Sequence, residues 1–267
     1  MKMIKQKKLF LSIICFCLAL FIAGCGDDAG KASSKEEKAS SKKETAAPAK
    51  AYEPEENFIV KNYGRMCTII GYKGQSMELN IPSKIGDRTV TAIGENALKD
   101  CTAIINVDIP DTVKEIGGYA FSGCSSLESV TIPESVTKIN DFAFYGCSSL
   151  KSVTIPKGVT EIRKATFASC SSLKSVTIPK GVTKIDYWAF EYCSSLESVT
   201  IPKGVTGIGP RTFYGCSSLK SVTIPDGVTE INDYAFRGCS SLKSVTVPSG
   251  AKISNRAFDD DCKVNKK

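Results

Sequence analysis

The side chains with the most chemistry to offer here are cysteines, and their spacing limits what that chemistry is. Eight of the twelve stand at 101, 124, 147, 170, 193, 216, 239 and 262, each 23 residues from the next. A metal centre needs two or more thiolates converging on one ion, typically as a C-x-x-C cluster. Cysteines strung singly along a line offer no such convergence, and the chain has no histidine to complete a ligand set. The same absence removes Ser-His-Asp and Cys-His nucleophilic catalysis. With Cys67 the count becomes nine, so disulfides would leave one thiol over and split equivalent positions into unlike pairs. The ladder therefore reads as reduced, buried, structural cysteine. No metal, no cofactor and no enzymatic activity is expected.

Cys25 has a different setting. Lys2, Lys5, Lys7 and Lys8 precede an apolar run over residues 9–23, too short for a comfortable membrane-spanning helix of ~20 residues. A basic start, a short apolar core and small residues at its end describe a secretory signal. The core ends in Ile22-Ala23-Gly24-Cys25, which resembles the lipobox of bacterial lipoproteins. That resemblance implies a signal peptide over 1–24, cleaved before Cys25, with acyl chains on the Cys25 sulfur and amino group anchoring the chain to the membrane. Residues 25–57 then form the lipidated cysteine and a tether. The segment is built from Ala, Ser, Lys and Glu, too polar to offset its ordering entropy, and is expected to be disordered. Such a tether would hold a domain about 30 Å from the membrane. The formal charge of +7 includes the four leader lysines, so the mature chain carries +3. That weakens any argument for nucleic acid, and none is expected as a partner.

What must position the cysteine ladder is an internal repeat. Six copies begin Cys-Ser-Ser-Leu and continue through Ser-Val-Thr-Ile/Val-Pro. Counting each unit from its cysteine as position 1, positions 6–9 alternate polar and β-branched apolar residues, which is strand chemistry. Pro at position 10 ends the strand. Gly at position 12 suits a turn, and position 17 carries residues favoured at helix N-caps, such as Asn140, Asp186 and Asn232. Ile at 16, Ala or Thr at 20, Phe at 21 and the next Cys and Leu recur at helical spacing. Each unit is expected to be a short parallel strand, a turn and about one helical turn. A single unit cannot bury its apolar face, so the units must stack into a solenoid.

The units resemble the BspA-like class of leucine-rich repeats, as Leu173, Val176, Ile178, Pro179, Val182, Ile185, Ala189, Phe190 and Cys193 illustrate in one copy. The resemblance implies an α/β repeat solenoid, a curved leucine-rich-repeat array over 58–267. It would have a β-hairpin cap at 58–78 and repeats over about 79–262. It also implies a surface or secreted protein of the adhesive kind.

The candidate ligand surface follows from the strand alternation. Ser152, Ser175, Ser198 and Ser221 form one exposed column, and Thr154, Thr177, Thr200 and Thr223 the next. Lys151, Lys174 and Lys220 at position 5, with Lys157, Lys180 and Lys203 at position 11, add a basic margin suited to acidic partners. Position 19 collects aromatics (Tyr119, Phe142, Trp188, Tyr234), with Tyr145, Tyr187 and Tyr214 nearby, and some of these rings should be exposed. With the lipobox and repeat resemblances, which imply export, a lipid anchor and adhesion, the expectation is a surface-exposed, monomeric binding module for proteins or glycans of host or other cells. The alternative is an envelope scaffold that binds endogenous wall components or proteins.

Overall fold

The computed structural model describes residues 51–267. The expected signal, Cys25 and the tether up to residue 50 lie outside the described residues. The chain enters as a hairpin of β1 (Phe58–Tyr63) and β2 (Met66–Tyr72), antiparallel and turning at Gly64, whose φ of 61° is left-handed. After β3 (Glu78–Asn80), residues inserted relative to the repeat make a second tight hairpin between β4 (Lys84–Ile85) and β5 (Arg88–Ile93). Because β2 also pairs parallel with β5, the expected cap is the first layer of the parallel stack.

The cap starts before the expected boundary at 58. Glu53, on the tether side of that boundary, is buried and accepts hydrogen bonds from Asn57, Tyr72 and Ser76. Burial raises its pKa, but those three donors outweigh it and hold the carboxyl below its ordinary value. Glu55 caps the second hairpin by accepting from the Gly86 N–H at 2.7 Å. Residues 53–57 therefore belong to the folded unit, because their carboxylates satisfy donors that the first coil leaves open.

Each coil carries two short strands, at positions 6–8 and 15–16, as in Ser152–Thr154 and Glu161–Ile162. Through the central coils both pair with residues 23 further on, Ser152 with Ser175 and Glu161 with Lys184. The strand at 15–16 was not anticipated; it forms a five-stranded parallel sheet from Glu161–Ile162 to Lys252–Ile253. Charge alternation at position 15 supports the register, and Lys138 reaches Glu115 at 2.8 Å. At positions 6–8 the pairing is not continuous. It forms one group of three strands and then pairs, including 152–154 with 175–177 and 198–200 with 221–223. Position 5 bridges two of the breaks, since the Lys151 N–H donates to the Glu128 carbonyl and the Glu197 N–H to that of Lys174.

The segment expected to be about one helical turn is not helical. Its N–H groups alternate between two jobs. Those at positions 20, 22 and 1 donate three residues back, as Ala120 to Gly117, Ser122 to Tyr119 and Cys124 to Phe121. Those at 19, 21 and 23 donate to the next coil, as Tyr119 to Asp141, Phe121 to Ala143 and Gly123 to Tyr145. Alternation of this kind needs left-handed residues at 19 and 23. Position 19 is left-handed in every coil from Asn96 to Tyr234, and position 23 is usually Gly. The helix is lost because half of its donors bond between coils. The position-17 residues are not N-caps either: Asn140 and Asn232 donate from Nδ2 to the preceding coil's Ile116 and Ile208 carbonyls, each at 3.2 Å.

One core runs the length of this unit. Its spine is seven phenylalanines, Phe121, Phe144, Phe167, Phe190, Phe213, Phe236 and Phe258, stacked with centroids 5.1–5.6 Å apart and planes within 10°. At the far end, where the last coil departs from the repeat, the Gly238 N–H donates to the Asp259 side chain, to Oδ1 at 2.8 Å. A final strand, Lys263–Lys266, pairs parallel with Ser244–Val247 and covers the last coil with lysines, which discourage edge-to-edge pairing.

Candidate functional site

The Ser-Val-Thr strands place their hydroxyls as the alternation predicts. Ser152, Thr154, Ser175, Thr177, Ser198, Thr200, Ser221 and Thr223 are all exposed, while Val153 and Val199 between them are buried and Val176 and Val222 half-buried. The structure brings only some of the candidates around one cavity. A groove of about 610 Å³ is lined by Thr154, Thr177, Lys157 and Lys180, with Ile155, Ile178 and Pro179 as its apolar wall. Ser221 and Thr223 line a separate groove with Lys267. Lys151, Lys174 and Lys220 lie at the other end of the strands and line neither groove. Two of the six candidate lysines are neutralised: Lys151 pairs with Glu128 at 2.5 Å and Lys220 with Glu197 at 3.0 Å. Lys157, Lys174, Lys180 and Lys203 make no ion pair among the described residues.

Among the described residues nine cysteines are free thiols, seven of them buried and Cys101 and Cys262 half-buried. Each inner thiol donates to the carbonyl of position 21 in the preceding coil: Cys147 to Phe121, Cys170 to Phe144, Cys193 to Phe167, all at 3.2 Å. The serine after it repeats the device, Ser171 Oγ donating to Ser148 O at 3.3 Å and Ser194 Oγ to Ser171 O at 3.2 Å. The next N–H does so again, Ser172 to Ser148. Cys-Ser-Ser is thus a run of donors aimed at the coil below. Burial pushes the Cys124 and Cys170 thiols up to about 12, and those of Cys147, Cys193 and Cys216 well above their ordinary value. A thiol held protonated and enclosed is neither nucleophile nor metal ligand.

On the turn side, positions 19 and 22 carry a varied set of side chains. Tyr119 stacks on Phe142 with centroids 4.7 Å apart, and Tyr145 meets Phe142 edge-on at 5.9 Å. Lys164 Nζ lies 5.7 Å from the Phe142 centroid and 4.7 Å from that of Trp188. Glu191, whose carboxyl burial raises despite Arg211 beside it, pairs with Arg211 at 3.4 Å. A cavity of about 630 Å³ runs among these residues, from Lys99 and Asp100 to Glu191 and Arg211.

The comparison with known families decides what this architecture is. The family model of the BspA-type leucine-rich-repeat region, in six copies, matches residues 91–220 and 137–265. The chain belongs to the BspA-type leucine-rich-repeat family. A leucine-rich-repeat protein of T. pallidum is similar to it, with a TM-score of 0.68 and 29% identity over 72% of this chain and 91% of that one. So is a leucine-rich cell-surface protein of Faecalibacterium prausnitzii A2-165, with a TM-score of 0.58 and 26% identity over 82% and 77% of the two chains. No curated protein matches the chain significantly.

Within this BspA-type array, sequence reasoning found the hydroxyl columns, the lysines and the presence of exposed aromatics. It missed the thiol donors, since spacing alone does not say what a buried thiol faces. It also missed the turn-side cavity. The available signal was Ala165, a small residue at a position that holds large side chains in the coils on either side.

Proposed function

We propose that this chain is an exported BspA-type binding module, anchored by lipid on Cys25 and displayed on the bacterial surface, where it adheres to proteins or glycans of host or other cells without catalysing a reaction. The observation that carries the reading is the Ser/Thr face. Eight hydroxyls stand exposed on a parallel-strand scaffold, beside four lysines that make no ion pair among the described residues, and form a broad polar surface. The similar F. prausnitzii protein, described as a leucine-rich cell-surface protein, supports the location. The arrangement suits an extended partner laid across several coils, with hydroxyls as hydrogen-bonding groups and lysines attracting acidic groups.

Two measurements test it. Radiolabelled fatty acid supplied to cells should enter the wild-type chain and fail to enter Cys25→Ala; equal labelling of both would discredit the anchor. Cells lacking the chain should bind host cells or immobilised host glycoproteins less well. Unchanged binding, with the chain recovered on endogenous wall material, would favour an envelope scaffold.

A further inference from the structure

The turn-side cavity differs from the Ser/Thr face in the property that specificity requires. Positions 6 and 8 repeat the same two residues from coil to coil, whereas positions 19 and 22 change at almost every step. Position 19 reads Tyr119, Phe142, Ala165, Trp188, Arg211 and Tyr234; position 22 reads Ser122, Tyr145, Ala168, Glu191, Tyr214 and Arg237. The one coil with small residues at both positions, Ala165 and Ala168, lies between a coil carrying Phe142 and Tyr145 and one carrying Trp188 and Glu191. Both alanines are buried. Lys164, its ammonium between the Phe142 and Trp188 rings, braces those two walls.

The rings are held against backbone preference. Tyr119, Phe142 and Trp188 sit at φ of 55°, 59° and 61°, a region that bulky side chains rarely occupy and that costs them about 1–2 kcal/mol relative to the right-handed conformation. Glycine would fill those positions with less strain. These rings are half-exposed and wall the cavity.

We infer that this cavity is a glycan site that takes a neutral pyranoside of about disaccharide size. The inference rests on the reading of the chain as a binding module, and it moves the specific contact from the Ser/Thr face to the turn side. The volume of about 630 Å³ falls in the range of small-ligand sites, about 300–1,000 Å³. Tyr145, with 42% of its surface exposed, and Trp188 offer aromatic surface to the C–H face of a sugar ring. Around them stand groups of both kinds: Asp100 and Glu191 can accept hydrogen bonds, and Lys99, Arg211 and the Lys164 between the rings can donate them. A polyhydroxylated neutral ligand uses both kinds of group, whereas an anionic one would meet two carboxylates.

Trp188 is the only tryptophan in the chain, so the site carries its own reporter. The full chain in detergent micelles is applied to a printed array of neutral and sulfated oligosaccharides. Trp188 emission is then titrated with the neutral disaccharide retained most strongly. Neutral pyranosides should be retained, with a saturable emission change. Tyr145→Ala, which removes an exposed ring, and Trp188→Ala should each weaken retention roughly tenfold while the circular-dichroism spectrum stays unchanged. Tyr63→Ala, which removes an exposed ring of the cap hairpin outside the cavity, should bind as the wild type does. Retention of neutral sugars undiminished in Tyr145→Ala overturns the site, even if Trp188→Ala fails to fold. Exclusive retention of sulfated sugars, abolished by Lys157→Gln/Lys180→Gln, overturns the site while leaving a glycan-binding module on the other face. No glycan retained, with adhesion to host protein intact, overturns the site and leaves the binding module as a protein binder.

Discussion

At the scale of single residues, the cysteine is a hydrogen-bond donor first and a packing group second. The 23-residue ladder was legible as structural, and the absence of histidine closed off the usual catalytic partners, but the thiol's acceptor was not legible because it belongs to another coil. Cys170 donates to Phe144 O, which also receives the Cys147 N–H. Cys170→Ala should therefore destabilise the array by about 1–3 kcal/mol through the lost bond and the space left behind. Cys170→Ser, which keeps a donor for the same carbonyl, should be better tolerated, as urea midpoints would show. If the thiol were only an apolar filler, the order would reverse. The same thiols predict a response to alkali. Folding raises their pKa above the ordinary 9.0, to about 12 for Cys124 and Cys170. Their contribution is therefore fully present below pH 9 and is lost as pH rises toward the folded values, because only the unfolded chain ionises in that interval. With five thiols raised by burial, the array should lose stability progressively as pH climbs above 9. A melting temperature unchanged from pH 8 to 11 would contradict this.

At the scale of elements, the strand at positions 6–8 was legible because β-branched alternation has one physical reading. The turn side was not, because apolar residues at 16, 20, 21 and the next 1 and 4 suit one helical turn and tandem turns equally well. What separates the two is where the intervening N–H groups go, and here Phe121 and Gly123 donate to the next coil. The left-handed residues that permit this suggest a stabilising change. Position 23 is Gly at 123, 146, 215 and 238 but Ser at 169, with φ of 60°. Ser169→Gly should relieve the left-handed strain and raise stability by about 0.5–1 kcal/mol, measured by chemical denaturation. A loss of stability would mean that the seryl side chain makes a contact worth more than the strain. The cap was legible as a hairpin through the resemblance of its sequence to the family. Its true start was not, since Glu53 looks like one more acid of a polar segment until Tyr72 and Ser76 are seen to donate to it.

At the scale of the whole molecule, the repeat dictates a stack in which each coil satisfies the next, through thiols, serines, ring stacking and alternate N–H groups. Stability therefore resides in coil-to-coil contacts, and both ends need special treatment, from Glu53 at one and Asp259 at the other. That regularity leaves the outer faces free to be used, and it made the Ser/Thr and lysine columns legible from the repeat. The turn-side cavity depends on which neighbours flank the small side chains of a single coil, so it emerges only once the coils are stacked. The central claim is that this array is held outside the cell by lipid on Cys25 in order to bind. Brief protease treatment of intact cells, followed by immunoblotting, tests it most directly. The array should be stripped from wild-type cells while a cytoplasmic marker stays whole, and Cys25→Ala should release the array into the soluble fraction. An array that stays protected until the cells are broken, in wild type and Cys25→Ala alike, would contradict the account.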